Sequence, residues 1–578
     1  MSNPANHSSF IGMRVWVALI LASAAQFQVS GETAAQDHGA HGHHGNAQSG
    51  ELVWRMPMMS GGMPMLPGVG SYNIPMTPFL PGRDIDPATL PVAEPREVME
   101  LADGDTLRLT ARMVRRTLRG KTFTMYGFNG QYPGPLIVVN QRSTIVVDFV
   151  NAIDLPTTVH WHGIRLDNRF DGVPNVTQEP VRPGGSFRYE IVFPDAGIYW
   201  YHPHVREDIQ QELGLYGNML VRSPDPDYYN PVNEEEILIL DDLLMDGDEI
   251  VPFGLEAANL TLMGRFGNLF LINGEPDYRL ELDRGSVVRF MLTNVSNTRI
   301  FNLVFEGARV KVVGSDVSNF EREEWVESVV IAPAERYIIE AKFDEAGTFA
   351  IQNRVQAIDH VLGEFFASVD TIGTVAVSER MASASYALQF QTLREHHDVI
   401  ADIDAFRPYF DRPPDHELHM TLHITDMPLA VVAYMSIDTT YYPPVELNNA
   451  MPMMNWVSNS ENVRWILREP STGLENMDIR WRFTEGDIVK IRFFNDPSSI
   501  HPMSHPVHLH GQRMLVVERN GVRTRNLAWK DTVLLPVGTT VDLLVEMSNP
   551  GTWMLHCHIA EHLEAGMMAS FVVEPKEH

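Results

Sequence analysis

The chain of 578 residues holds one cysteine, Cys557, so no intrachain disulfide can form, and the thiol is either a bland buried residue or one kept for its chemistry. Long hydrophobic runs are missing too. A bilayer-spanning helix needs roughly twenty apolar residues, and the most apolar stretch, RVWVALILASAA at 14–25, carries about eleven. Positive charge is scarce: 44 Lys and Arg against 74 Asp and Glu leave a net charge of −30, which repels nucleic-acid phosphates and anionic membranes and argues against both as partners. What remains is a soluble, turn-rich chain. Its 41 Gly and 38 Pro supply punctuation for many short strands, and its length accommodates roughly three or four domains.

The apolar stretch follows a single Arg14 and ends in Ala22-Ser23-Ala24, an A-x-A cleavage pattern, so residues 1–24 read as a signal peptide and the mature protein as exported, periplasmic or extracellular. No twin-arginine pair precedes the run, and Met13 is an alternative start. Residues 25–84 read as a largely disordered leader. It contains Asp37-His38-Gly39-Ala40-His41-Gly42-His43-His44-Gly45 and Met56-Pro57-Met58-Met59-Ser60-Gly61-Gly62-Met63-Pro64-Met65, tracts suited to cupric and cuprous copper respectively. A further methionine cluster, Met451, Met453 and Met454, falls in NNAMPMMN at 448–455, a loop-like composition that offers thioethers for substrate copper.

The chain then repeats itself. PGGSFRYEIVFPDAGIYWYHPH at 183–204, PAERYIIEAKFDEAGTFAIQNR at 333–354 and PVGTTVDLLVEMSNPGTWMLHCH at 536–558 share a turn proline, an alternating apolar strand, a turn glycine and a second strand. The position five residues after Gly197, Gly347 and Gly551 is His202, Gln352 and His556. Upstream, VHWHG at 159–163, LVFEG at 303–307 and VHLHG at 507–511 also correspond, and Glu306–Gln352 and His510–His556 are both 46 residues apart. Three homologous all-β sandwich units follow: 85–228, 229–400 and 401–578, with the second boundary in the weakly patterned stretch around 380–410.

Units one and three keep histidines where unit two has Val304, Glu306, Gln352 and Arg354, so the middle unit reads as a metal-free spacer. Side chains two apart on a strand point the same way, which makes His160/His162, His202/His204, His508/His510 and His556/His558 four two-toothed ligands. Eight imidazoles shared equally by two units imply an interfacial cluster of three metals. Zinc needs four ligands in a closed tetrahedron and would leave half of them idle, whereas copper suits imidazole. Between His556 and His558 sits Cys557, with His562 and Met567 five and ten residues beyond it. A thiolate, two imidazoles and a weak thioether make a blue electron-transfer copper site. His505 is the preferred second imidazole, because it lies off the phase of His508/His510 and Gly511 fixes the register; His501 is the rival.

These motifs, HWHG at 160–163, HPH at 202–204, the run from His505 to Gly511 and the run from His556 to Met567, resemble the four copper motifs of the multicopper oxidases, over about residues 90–575. The resemblance implies three cupredoxin-like Greek-key β-sandwich domains and four coppers. It assigns His505, Cys557, His562 and Met567 to the type 1 copper, His160 and His508 to type 2, and His162, His202, His204, His510, His556 and His558 to the type 3 pair. Electrons from substrate pass from Cys557 through His556 and His558 to the cluster, where dioxygen is reduced to two waters. Asp171 matches an acid placed near the cluster. Many bacterial members carry Glu directly after the last type 1 histidine; here Leu563 stands there, with Glu561 or Glu564 as substitutes. The expected substrates are phenols, aromatic amines or cuprous ion, the latter in copper tolerance. The alternative is a copper-storage or carrier protein, and a two-domain nitrite reductase is disfavoured by the eight histidines. Since units one and three share a chain, a monomer suffices.

Overall fold

The computed structural model describes residues 77–359, 364–427, 432, 445–446 and 458–577; the expected signal peptide, most of the leader and Met451, Met453 and Met454 lie outside them. Within them the strands follow from alternation. Thr144–Ala152 (TIVVDFVNA) buries every second residue, and Ser186–Val192 beside it hides Tyr189 and Ile191 while exposing Arg188 and Glu190.

Three sandwiches result, each with its own apolar core. The first pairs a four-stranded with a five-stranded sheet, the second has two larger sheets, and the third packs a six-stranded sheet on a five-stranded one. In each, one long strand runs parallel to its neighbour: Thr106–Leu118 with Thr144–Ala152, Glu234–Leu243 with Val287–Asn294, and His416–Ile424 with Asp487–Asn495. Parallel neighbours cannot be joined by a tight hairpin, so the intervening chain crosses to the other sheet, which gives the cupredoxin-like architecture.

The repeat seen in the sequence is a structural register. His160 pairs with His202, Val304 with Gln352, and His508 with His556, the same cross-strand couple in each of the three units. Gly163, Gly307 and Gly511, which end the first strand of each couple, all take positive φ (84°, 71° and 65°), which explains a glycine there.

The units are packed against one another by apolar contacts. Ile198 of the first meets Met291, Val313 and Ile338 of the second. Leu262, Met263 and Phe266 of the second are buried in the core of the third. The stretch around 380–410, weakly patterned in sequence, forms helices Ala387–Gln391 and His397–Asp404, and Val399, Ile403 and Phe406 pack on Leu515, Leu527 and Trp529. An eight-residue helix is too short to show its 3.6-residue period in sequence. Of the leader, Pro78–Phe79 pairs with Phe253–Gly254. No helix among the described residues is long and apolar enough to cross a membrane.

Candidate metal centres

The alternation of strand Gly551–Cys557 sorts its side chains between two environments. Val507 is the cross-strand partner of Cys557 and His508 that of His556. Cys557 and Leu555 point into the third unit's core, while His556 and His558 point out of it toward the first unit. One backbone thus carries a thiol on one face and two imidazoles on the other.

On the thiol side, Cys557 Sγ lies 3.5 Å from His505 Nδ1 and 3.9 Å from His562 Nδ1, and the two nitrogens are 3.3 Å apart. A cation about 2.0 Å from nitrogen and about 2.3 Å from sulfur, with near-trigonal angles, needs separations of about 3.5 Å between the nitrogens and about 3.7 Å from nitrogen to sulfur, so this triangle is close to the right size. His505 starts strand His505–Leu509, and His562 lies on the short helix Ala560–Glu564. Met567 is fully buried beside them, its backbone bonded to Cys557 and His562. Ile559 N–H donates to the sulfur at 3.4 Å. Trp465 stacks on His562 at 4.1 Å and its indole N–H is held by Thr261 O, so the middle unit's 261–266 segment closes the site. His501 is buried close enough to lower the His562 pKa, after burial and His505. Burial pushes the Cys557 thiol up, out of reach of ordinary titration, so its ionisation calls for a bound cation.

On the other side, eight imidazoles from the first and third units interleave. His162 stacks on His508 at 3.7 Å, and His160 lies 4.2 Å from His510. Several triples, among them His160/His162/His202, His160/His508/His510 and His204/His510/His556, hold their ligand atoms within 4.8 Å of one another. The tautomers are set by the surroundings. Nδ1 of His160, His202, His508 and His556 faces the carbonyls of Asp171, Pro203, Asp531 and Cys557 at 2.7–2.9 Å. A carbonyl only accepts, so each Nδ1 donates and each Nε2 keeps a lone pair. His510 Nδ1 is tied to Asp171 Oδ2 at 3.0 Å, and His204 Nδ1 lies 3.2 Å from Glu207 Oε1. His162 is reversed: its Nε2 meets Asp531 Oδ1 at 3.1 Å.

The free nitrogens include Nε2 of His160, His202, His204 and His508, Nδ1 of His162 and both ring nitrogens of His558, all buried and without a hydrogen-bond partner. Burying so many unsatisfied acceptors is costly unless cations take them. Burial first, then neighbouring imidazoles, hold His162, His202, His204, His510, His556 and His558 well below the ordinary histidine range, and burial lowers His505 to about 3. Neutral imidazole is the form that binds a metal.

Asp171 is buried where the sequence resemblance expects an acid, between His160 and His510. Leu563, in place of a glutamate, packs against Val173 and Met554. Glu561 is buried and accepts from Asn297 and Thr298 of the middle unit, and burial raises both Glu561 and Glu564 to about 7. Sequence reasoning missed Asp531 and Glu207. Glu207, three residues after His204, carried a weak signal; Asp531, 23 residues after His508 in no motif, carried none.

The comparisons with known proteins agree with this geometry. Profiles described as multicopper oxidase match residues 110–226, 235–378 and 444–577. Laccase-1 of Fomitopsis schrenkii is 27% identical over 78% of this chain and 83% of its own length, and multicopper oxidase MmcO of Mycobacterium tuberculosis 27% over 80% and 86%. A solved multicopper oxidase from Campylobacter jejuni superposes with a TM-score of 0.62 at 21% identity, covering 85% of this chain and 97% of that one, a likeness of fold. Three consecutive profile matches that follow the three sandwiches place this chain in the multicopper oxidase family, whose members are copper-binding oxidoreductases.

Proposed function

We propose that the protein is an oxidase that takes single electrons from a small reductant at a thiolate-bound type 1 copper and uses four of them to reduce dioxygen to two waters at a three-copper cluster. One observation carries this reading: Cys557 lies in the mononuclear triangle while its covalent neighbours His556 and His558 lie in the eight-imidazole cluster. Bound copper would supply the one-electron redox chemistry at both centres. His505, Cys557, His562 and Met567 would hold the first ion, and His160, His162, His202, His204, His508, His510, His556 and His558 the other three.

The chain's own residues do the rest. The backbone from His556 to His558 is a covalent route between the centres. Burial of all eight imidazoles excludes bulk water from the cluster. Asp171, with Oδ2 on His510 Nδ1 and Oδ1 3.3 Å from His160 Nδ1, can hold a proton beside the site of oxygen reduction.

For the reductant, we favour cuprous ion, with phenols and aromatic amines as the second class. His505, Cys557 and His562 are all buried, with Trp465 against both imidazoles, which suits a donor that passes an electron through protein better than a bulky ring that needs contact. The methionine segment lies outside the described residues, but Ser458, just after it, accepts at Oγ from the N–H of Leu262, whose backbone also bonds His562. The Campylobacter jejuni neighbour is described as a metallo-oxidase. The leader supports an exported protein acting in copper tolerance. Oxygen consumption tests the reading: above a protein-free blank, four cuprous ions should be oxidised per dioxygen with no hydrogen peroxide. A ratio of two with peroxide would contradict it, and absence of turnover would leave copper storage.

A further inference from the structure

The middle unit contributes none of the cluster's imidazoles, yet one of its side chains reaches the cluster's edge. Arg336 opens strand Arg336–Phe343 and is fully buried. Its Nη1 and Nη2 donate to Asp531 Oδ1 and Oδ2 of the third unit at 2.6 and 2.5 Å, and its Nε donates to Ile198 O of the first at 3.3 Å. The guanidinium is itself fixed from its own unit: Nη1 donates to Ala334 O, Nη2 to Asp316 O, and its backbone N–H to Asp316 Oδ1. Planar, two-pronged pairing of this kind fixes the plane of a carboxylate, which a lysine's point charge cannot do.

Asp531 meets two histidines, His162 through its carboxylate and His508 through its backbone carbonyl. Asp531 Oδ1 faces His162 Nε2 at 3.1 Å, and Asp531 O accepts from His508 Nδ1 at 2.9 Å. Thr532 Oγ1 donates to Asp531 Oδ1 and lies 3.1 and 3.2 Å from the same two ring nitrogens. His162 offers Nδ1 because Asp531 ties down its Nε2, whereas His160, His202, His204 and His508 offer Nε2. A Cβ at Gly163 would fall 2.5 Å from Asp531 Oδ2 and 2.6 Å from Arg336 Nη2, so the three units touch within a few ångströms of His162.

We propose that Arg336 is a positioning residue for the copper cluster: the guanidinium of the ligand-free middle unit locks Asp531, and through it His162 and the His508 strand, so that first-unit and third-unit ligands meet in register. The inference rests on the copper reading above. It gives the middle unit a function beyond spacing, since the cluster's two halves are aligned by a residue that belongs to neither.

The test loads copper into Arg336→Met, Arg336→Lys and a control, Arg299→Met, and compares the type 2 copper EPR signal with the type 1 blue absorption. Arg299 is likewise buried in the middle unit and pairs with Asp242 of the same unit. Outer partners of metal ligands are typically worth about 10–100-fold in metal affinity, so Arg336→Met should keep its blue band and lose type 2 copper at limiting metal. Arg336→Lys should be intermediate, and it decides the matter if the methionine variant does not fold. Arg299→Met should lower the thermal midpoint with an unchanged ratio of the two signals. In Arg336→Met/Asp531→Asn the unpaired buried charge is gone, so a role confined to stability predicts that the type 2 signal returns with the thermal midpoint, whereas positioning predicts that it does not. An unchanged ratio in both Arg336 variants, an equal loss in Arg299→Met, or that recovery would overturn the inference. Absence of both signals in the unsubstituted protein would overturn the copper reading and the inference with it.

Discussion

The Nε2 atoms of His510 and His556 face each other at 3.0 Å, while Nδ1 of the first is tied to Asp171 Oδ2 and Nδ1 of the second donates to Cys557 O. Two lone pairs at that distance repel unless a cation lies between them. The same holds, less closely, around the whole cluster, so these residues are arranged for metal rather than for the stability of the metal-free chain.

The metal-free protein should therefore be acid-labile. His202 and His204 are held by burial below the unfolded value of about 6.5, so as pH falls the unfolded chain takes up protons that the folded one refuses, and stability present above that value is lost below it. Each such imidazole contributes a slope approaching about 1.4 kcal/mol per pH unit. Replacing His202 and His204 together with Asn should flatten the fall in thermal midpoint of the copper-free protein between about pH 7 and 5. An identical slope in parent and variant would show that these rings are not held neutral.

Gly163 and Gly521 both have positive φ but differ in surroundings. A Cβ at Gly163 would meet Asp531 and Arg336, whereas at Gly521 nothing lies within 4 Å. Gly521→Ala should cost about 1 kcal/mol, the strain of a left-handed residue alone. Gly163→Ala should cost more and also lower cluster copper. Equal thermal shifts with full copper in both would refute the three-unit contact.

The substrate assignment is tested on Met451, Met453 and Met454. Leucine at all three keeps apolar volume roughly constant while removing the thioethers. Oxidation of cuprous ion should fall selectively relative to a bulky phenol. Equal rates for both substrates before and after would leave a phenol oxidase.

The geometry explains what was legible beforehand. Metal-binding positions on strands are encoded locally, since His-x-His puts two rings on one face, and Cys557 between His556 and His558 declares two faces at once. Gly511 fixed the register that brings His505 to Cys557. Asp531 and Arg336 are 195 positions apart, and Asp531 and His162 are 369 apart, so their contacts exist only after three units have packed. Arg336 is one charge in an alternating strand of the middle unit, with no local motif around it. The helix His397–Asp404 was equally hidden, its apolar residues too few to show a period and its role visible only against Trp529.

The central claim, one thiolate copper wired to a separate three-copper cluster, is tested most directly by metal analysis of Cys557→Ser. The account predicts four coppers per chain in the parent and three in the variant, with the blue absorption gone, the type 2 EPR signal retained and no oxidation of any substrate. A variant that stays blue, or that loses cluster copper along with type 1 copper while remaining folded, would contradict it.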